Sequence, residues 1–150
     1  MPQSFARLHI HLVFSTKHRA PLLAEAVREQ FHGYVARVLQ NLDCPALLIN
    51  SVADHVHILF ELARTAALSE VVQELKQASS KWLKTQGDEF ADFSWQAGYG
   101  AFSVSESQTE GVKAYIAGQA EHHRKKSFQE EFRTFLERHG FKIEERYVWD

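Results

Sequence analysis

The sequence is short of several things, and each shortage removes a class of explanation. Cys44 is its only cysteine. No disulfide can therefore form within the chain, and no cysteine-rich zinc site can be built. Cys44 reads as a packing residue in a reducing compartment. No apolar run approaches the ~20 residues that a membrane span needs. Met1-Pro2-Gln3-Ser4 leads straight into strand-like residues, without the apolar core of a signal peptide. The expectation is a cytoplasmic protein with no membrane partner. Charge of one sign is also lacking: 17 Lys and Arg stand against 19 Asp and Glu, for a formal net charge of −2. That balance excludes binding of nucleic acid by bulk charge. No Gly-rich phosphate loop, His-Glu-x-x-His or nucleophile elbow is present.

What is present is a folding chain of 150 residues, 45% hydrophobic and 24% charged, enough for one domain spanning 1–150. Residues 7–14 alternate. Leu8, Ile10, Leu12 and Phe14 share one face of a strand, and His9, His11 and Val13 share the other. Residues 24–42 carry a helical stripe of Val27, Phe31, Tyr34, Val35, Val38 and Leu42. Residues 46–52 and the run from His55 predict a hairpin pair of strands. Residues 68–84 predict a second amphipathic helix, with Leu68, Val71, Val72, Leu75, Ala78, Trp82 and Leu83 inward. A polar break at 87–93 and a Gly- and aromatic-rich loop at 94–100 precede a short strand at 101–105. Ser107 with Glu110 and Ser127 with Glu130 match capping boxes for two further helices. The order β-α-β-β-α-β predicts an α+β, ferredoxin-like (RRM-like) sheet with extra C-terminal helices. Its first and third strands would lie side by side at the centre. The closing Tyr147, Val148 and Trp149 are too apolar for solvent and should dock on the domain or on a partner subunit.

Chemistry concentrates at Asp54-His55-Val56-His57. On a strand, residues i and i+2 point the same way, so His55 and His57 project together while Val56, Ile58, Phe60 and Leu62 enter the core. Paired imidazoles suit a divalent metal. They equally suit a hydrogen-bonded pair, and His9-Ile10-His11 repeats the pattern. Tyr115 and Gln119, four apart, share a helical face that His122 continues. A Tyr oxygen can act as a covalent nucleophile and a Gln oxygen can complete a metal shell, although spacing alone also fits ordinary surface residues. Local positive charge offsets the acidic balance. Lys17 and Arg19 lie in a loop, Lys76 and Lys84 in an acid-free stretch, and Arg124 and Lys125 in the basic run 122–126. These, with Trp95 as a ring that unpaired bases could stack on, are the candidate DNA contacts, although such loop aromatics are at least as often core anchors.

These blocks, in this order, resemble the single-tyrosine HUH transposases of the smallest bacterial insertion sequences and the related repeat-associated tyrosine transposases. The resemblance runs through His11-Leu12-Val13-Phe14-Ser15-Thr16-Lys17, Asp54-His55-Val56-His57 and residues 95–105. It continues through Tyr115-Ile116-Ala117-Gly118-Gln119-Ala120-Glu121-His122-His123 and the closing Arg146-Tyr147-Val148-Trp149-Asp150. Gly118 departs from it, standing where relatives often carry Asn, which predicts a less rigid helix. The resemblance implies that His55, His57 and Gln119 hold Mg2+ or Mn2+ and that Tyr115 is the nucleophile. It implies cleavage and rejoining of single-stranded, hairpin-bearing DNA through a 5′-phosphotyrosine, by a homodimer whose subunits can share a site. Two other readings fit the residues: a non-catalytic single-stranded nucleic-acid binder on the same fold, and a metal-dependent phosphodiesterase that uses water.

Overall fold

The computed structural model describes residues 3–146 and 148–150. Tyr147 and the first two residues, which carry part of the tail and leader expectations, lie outside the described residues. The elements run β1 (His9–Ser15), α1 (Glu25–Asn41), β2 (Ala46–Ser51), β3 (His55–Glu61), α2 (Leu68–Lys84), β4 (Gly100–Val104), α3 (Thr109–Ala117), α4 (Gln119–His122) and α5 (Phe128–Arg138). The sheet order is β2-β3-β1-β4, and every neighbouring pair is antiparallel. This is the ferredoxin-like arrangement, with β1 and β3 central.

Alternation on the two central strands builds two different faces. Leu12, Phe14, Val56, Ile58 and Phe60 point to one side, where Phe31, Val35 and Leu39 of α1 and Val71, Val72, Leu75 and Leu83 of α2 cover them. Leu39, absent from the expected α1 stripe, is fully buried, while Tyr34, Val38 and Leu42 are half-buried at its margin. Ser79 of α2 is buried because its Oγ accepts the Trp95 indole N–H at 3.0 Å. The polar break supplies two core rings, Phe90 and Phe93.

The other face carries His9, His11, His55 and His57, all buried, and is roofed by α3, α4, α5 and the tail. A second small core holds the roof down: Val13 and Phe102 from the sheet meet Phe128 and Phe132 of α5, with Val148 and Trp149 packed alongside. Gly100 is required there, because a Cβ would fall 2.6 Å from the Phe132 ring. The docking expected of the tail is thus seen for Val148 and Trp149. The two capping boxes differ. Ser127 caps α5 by accepting the Glu130 N–H at 3.2 Å. Ser107 does not cap α3: it lies in a 3-10 turn, Glu106–Gln108, and the helix begins after Gln108 without a side-chain cap.

Candidate active site

The site is built where the β1 and β3 histidines meet the roof. His57 Nδ1 lies 2.8 Å from His11 Nε2, across the central strand pair. His55 Nδ1 lies 2.7 Å from the Asp54 carboxylate. His123, just past α4, places its Nδ1 2.8 Å from the Lys126 carbonyl. When the Nδ1 atoms of His55, His57 and His123 donate to these partners, each ring presents its Nε2 lone pair inward. All three Nε2 atoms converge on one oxygen of Glu131 from α5, at 3.4 Å from His55, 2.9 Å from His57 and 3.2 Å from His123. One ligand atom from each of these four residues lies within 4.8 Å of the others. Among the described residues, no buried side-chain nitrogen or oxygen lacks a partner.

Tyr115 and Gln119 reach the same spot from α3 and α4. The helix breaks at Gly118 (φ −89°, ψ 16°), so the continuous helix expected here is two pieces. Asn50 of β2 donates to the carbonyl of Ile116 at 2.8 Å, which ties the end of α3 to the sheet. Tyr115 donates its hydroxyl proton to the second oxygen of Glu131. Gln119 is fully buried, with its Oε1 3.3 Å from His55 Nε2 and 3.0 Å from His123 Nε2. His122 does not enter the cluster; its ring stacks on Tyr115 at 4.7 Å between centroids.

Burial sets the charges. It pulls His57 down to about 4, although Glu131 pulls the other way. Burial, with help from His57, pulls His11 down to about 3. Burial alone would raise Glu131, but His123, His55 and His57 outweigh it and hold the carboxyl well below the usual range. Burial likewise opposes charge on His55, and Asp54 and Glu131 together outweigh it and raise the ring. Burial and Glu131 push Tyr115 well above 10, while the charge of Arg138 pulls it back.

The donor set fits a divalent cation. Three Nε2 atoms and a carboxylate converge, and each imidazole has a hydrogen-bonding partner behind it at Nδ1, the arrangement that metal-binding histidines need. The three imidazoles suit Zn2+ among other divalent ions, while the carboxylate oxygen suits Mn2+ and Mg2+. His123 and Glu131 had no metal role in the sequence reading. Glu131 did leave a signal: it falls three residues after Phe128 and four before Phe135, an acid inside an apolar stripe.

The expected DNA contacts do not gather at this cluster. Trp95 is only 8% exposed, wedged edge-on between Phe14 and Phe93, so it is a core anchor and not a platform for bases. The Lys76 ammonium donates to the carbonyls of Gln96 at 2.8 Å and Gly98 at 2.7 Å, bracing the aromatic loop. Lys76 and Lys84, with Lys81 and Tyr99, line a groove of about 670 Å³ on the α2 side. Lys17 lines a smaller cavity with Trp149, and Arg19 lies over the Trp149 ring at 5.8 Å. Arg124 pairs with Glu121 at 2.9 Å, and Lys125 is exposed.

A ferredoxin-like sheet with a histidine face roofed by a tyrosine-bearing helix defines a class of α+β proteins. Within it, this chain belongs to the IS200-like transposase family, whose model matches residues 4–119. Similar solved structures include the following two. One is a protein of Deinococcus radiodurans assigned as a transposase, 20% identical over 79% of this chain and 98% of that one, with a TM-score of 0.62. The other is a REP-associated tyrosine transposase bound to a REP hairpin, 12% identical over 82% of this chain and 73% of that one, with a TM-score of 0.60. At these identities the likeness is one of fold. No curated protein matches the chain. The protein is a transposase, and His123 and Glu131 lie beyond the matched residues.

Proposed function

We propose that this transposase cleaves and rejoins single-stranded, hairpin-bearing DNA through a phosphotyrosine at Tyr115, in the cytoplasm and as a homodimer. The observation that carries the proposal is the convergence of three oriented Nε2 atoms beside a tyrosine hydroxyl. His55, His57, His123 and Glu131 would hold a divalent ion, Mn2+ or Mg2+, with Gln119 at its edge. When bound, the ion supplies Lewis-acid polarisation of a phosphate oxygen. Tyr115 supplies the nucleophile: its oxygen forms a bond to phosphorus as the bond to the 3′-oxygen breaks. The phenol loses its proton and the departing 3′-oxygen gains one. Rejoining reverses the step. The covalent link conserves the bond, so no nucleotide cofactor is needed. Glu131 accepts the Tyr115 hydroxyl in the state shown and fixes the ring over the imidazoles. The lysine-lined α2 groove is the candidate path for the unpaired strand. Phe5, 86% exposed, and Leu8 leave apolar surface for a second copy of the chain.

The test is incubation with hairpin-bearing single strands from the gene's own flanks and Mn2+, read on denaturing gels and by mass spectrometry. Wild type is expected to form an adduct at Tyr115. Tyr115→Phe is expected to bind the strand and form neither adduct nor cleaved product. Cleavage that persists in the variant would make the protein a phosphodiesterase using water, and metal-independent binding without cleavage would make it a binding protein. Light scattering on the active protein reports the dimer.

A further inference from the structure

Beside Tyr115 lies a cavity of about 200 Å³ whose walls include Tyr115, His122, Lys126, Glu131, Thr134 and Arg138. A helical stripe of α5 and the connection that precedes it make it, with Lys126 in that connection, its N–H donating to the His122 carbonyl at 3.0 Å. Glu131, Thr134, Phe135 and Arg138 recur at helical spacing along α5. The cations here differ from those nearby. Lys113, Arg124 and Arg133 are each paired with a carboxylate, at 3.4, 2.9 and 2.8 Å. Lys126 and Arg138 form no ion pair among the described residues. The one carboxylate in the wall, Glu131, is already held by three imidazoles. Thr134 donates to the Glu130 carbonyl at 3.0 Å and brings no charge.

We infer that this cavity seats a single backbone phosphate of the DNA strand beside Tyr115, clasped by Lys126 and Arg138. The inference rests on the proposed strand cleavage for its purpose and on the cavity for its chemistry. A phosphodiester carries one negative charge and gains another as a nucleophile adds, so two cations fixed beside the attacking oxygen favour the transition state over the ground state. Arginine presents a planar fork that matches two phosphate oxygens, and lysine adds a point charge. A basic residue in the last turn of α5 also suits the helix dipole. That explains a positive charge there, but not two cations that lack an ion pair among the described residues on the wall that holds the tyrosine.

The experiment uses Lys126→Gln with Arg138→Gln, both exposed positions whose replacement should leave thermal unfolding unchanged. Binding is read in Tyr115→Phe protein by fluorescence anisotropy of a labelled hairpin strand over a range of salt. If the cavity holds one phosphate, the double variant weakens binding about tenfold. The slope of log affinity against log salt then falls by about 0.7, the increment for one phosphate of a single strand. Inorganic phosphate at millimolar concentration should compete with the strand in the parent and lose that effect in the double variant. With Tyr115 present, the adduct should form at least tenfold more slowly, and Arg138→Lys should restore part of the rate. An unchanged slope together with an unchanged adduct rate overturns the inference. If wild type forms no adduct at all, the proposed cleavage fails on its own, and the salt slope alone decides whether the cavity holds a phosphate.

Discussion

The two faces of the sheet are made by the same strands and are opposite in chemistry. On the α1–α2 face, Leu12, Phe14, Val56, Ile58 and Phe60 meet other apolar side chains, and burial alone stabilises them, at about 1.5–3 kcal/mol for a large side chain. On the other face, His11, His55 and His57 are as deeply buried, yet burial there disfavours charge and leaves polar atoms needing partners. That face stands because each ring nitrogen of His55 and His57 has a defined neighbour in Asp54, His11, Glu131 or Gln119. The difference teaches where the fold keeps its stability and where it keeps its chemistry. The apolar face is tolerant in detail and costly to hollow out. The imidazole face contributes little apolar burial and is sensitive to single atoms.

The largest effect on stability should come from the apolar face. Phe31 is fully buried against Trp95. Phe31→Ala should cost about 3–5 kcal/mol, measured by urea unfolding, while the adduct yield per folded molecule stays at the wild-type level. Loss of adduct in the folded fraction would show that the two faces are not separable. Asp54→Ala sharpens the other side. The Asp54 carboxylate orients His55 from behind, and removing it should lower Mn2+ affinity by about 10–100-fold, read by calorimetric titration, with little change in unfolding. An unchanged affinity would remove His55 from the metal site. Smaller still is the roof. Ser127→Ala deletes the cap of α5 and should cost about 1 kcal/mol. Hydrogen exchange should quicken at the first amides of α5, Glu130 among them, and not in β1 or β3. Uniform exchange would mean that α5 unfolds only with the whole domain.

Most of the architecture was legible because period-2 and period-3.6 patterns are local. The split of β1 and β3 into a histidine face and an apolar face follows from alternation, and the bounds of α2 coincide with its apolar stripe. The order of elements implied the central β1–β3 pair. What local pattern could not show was choice among equals. Ser107 and Ser127 head the same motif, but the chain before α3 is drawn into a 3-10 turn, and the neighbouring Thr109 bonds buried His9 at 3.1 Å. Trp95 fits a ring that unpaired bases stack on and a core anchor equally well in sequence, and only tertiary packing shows it in the core. His123 and Glu131 meet His55 and His57 across 68 and 74 positions of sequence, a convergence that no motif spacing encodes.

The finest test concerns a half-buried charge at the edge of the apolar half, Lys76. Lys76 on α2 lies over the Phe14 ring at 5.1 Å and donates to loop carbonyls. Burial pulls its ammonium from 10.5 down to about 8. The carbonyl oxygens oppose that by favouring the charged form, so the sign of the balance is measurable. Below about pH 8 the ammonium is charged in the folded and unfolded chains alike. Between about 8 and 10.5 the unfolded chain holds a proton that the folded chain has lost. Stability therefore rises with pH across that window. The group is partly open to solvent, so the gain should stay below about 1 kcal/mol. Lys76→Met keeps the stem and removes the charge, which cancels the other groups that titrate at high pH. The difference in melting temperature between wild type and Lys76→Met should shift in favour of wild type as pH climbs from 7.5 towards 10.5. A difference that stays flat, or moves the other way, would mean that the loop carbonyls outweigh burial and that this edge of the apolar face is held by charge, as the imidazole face is.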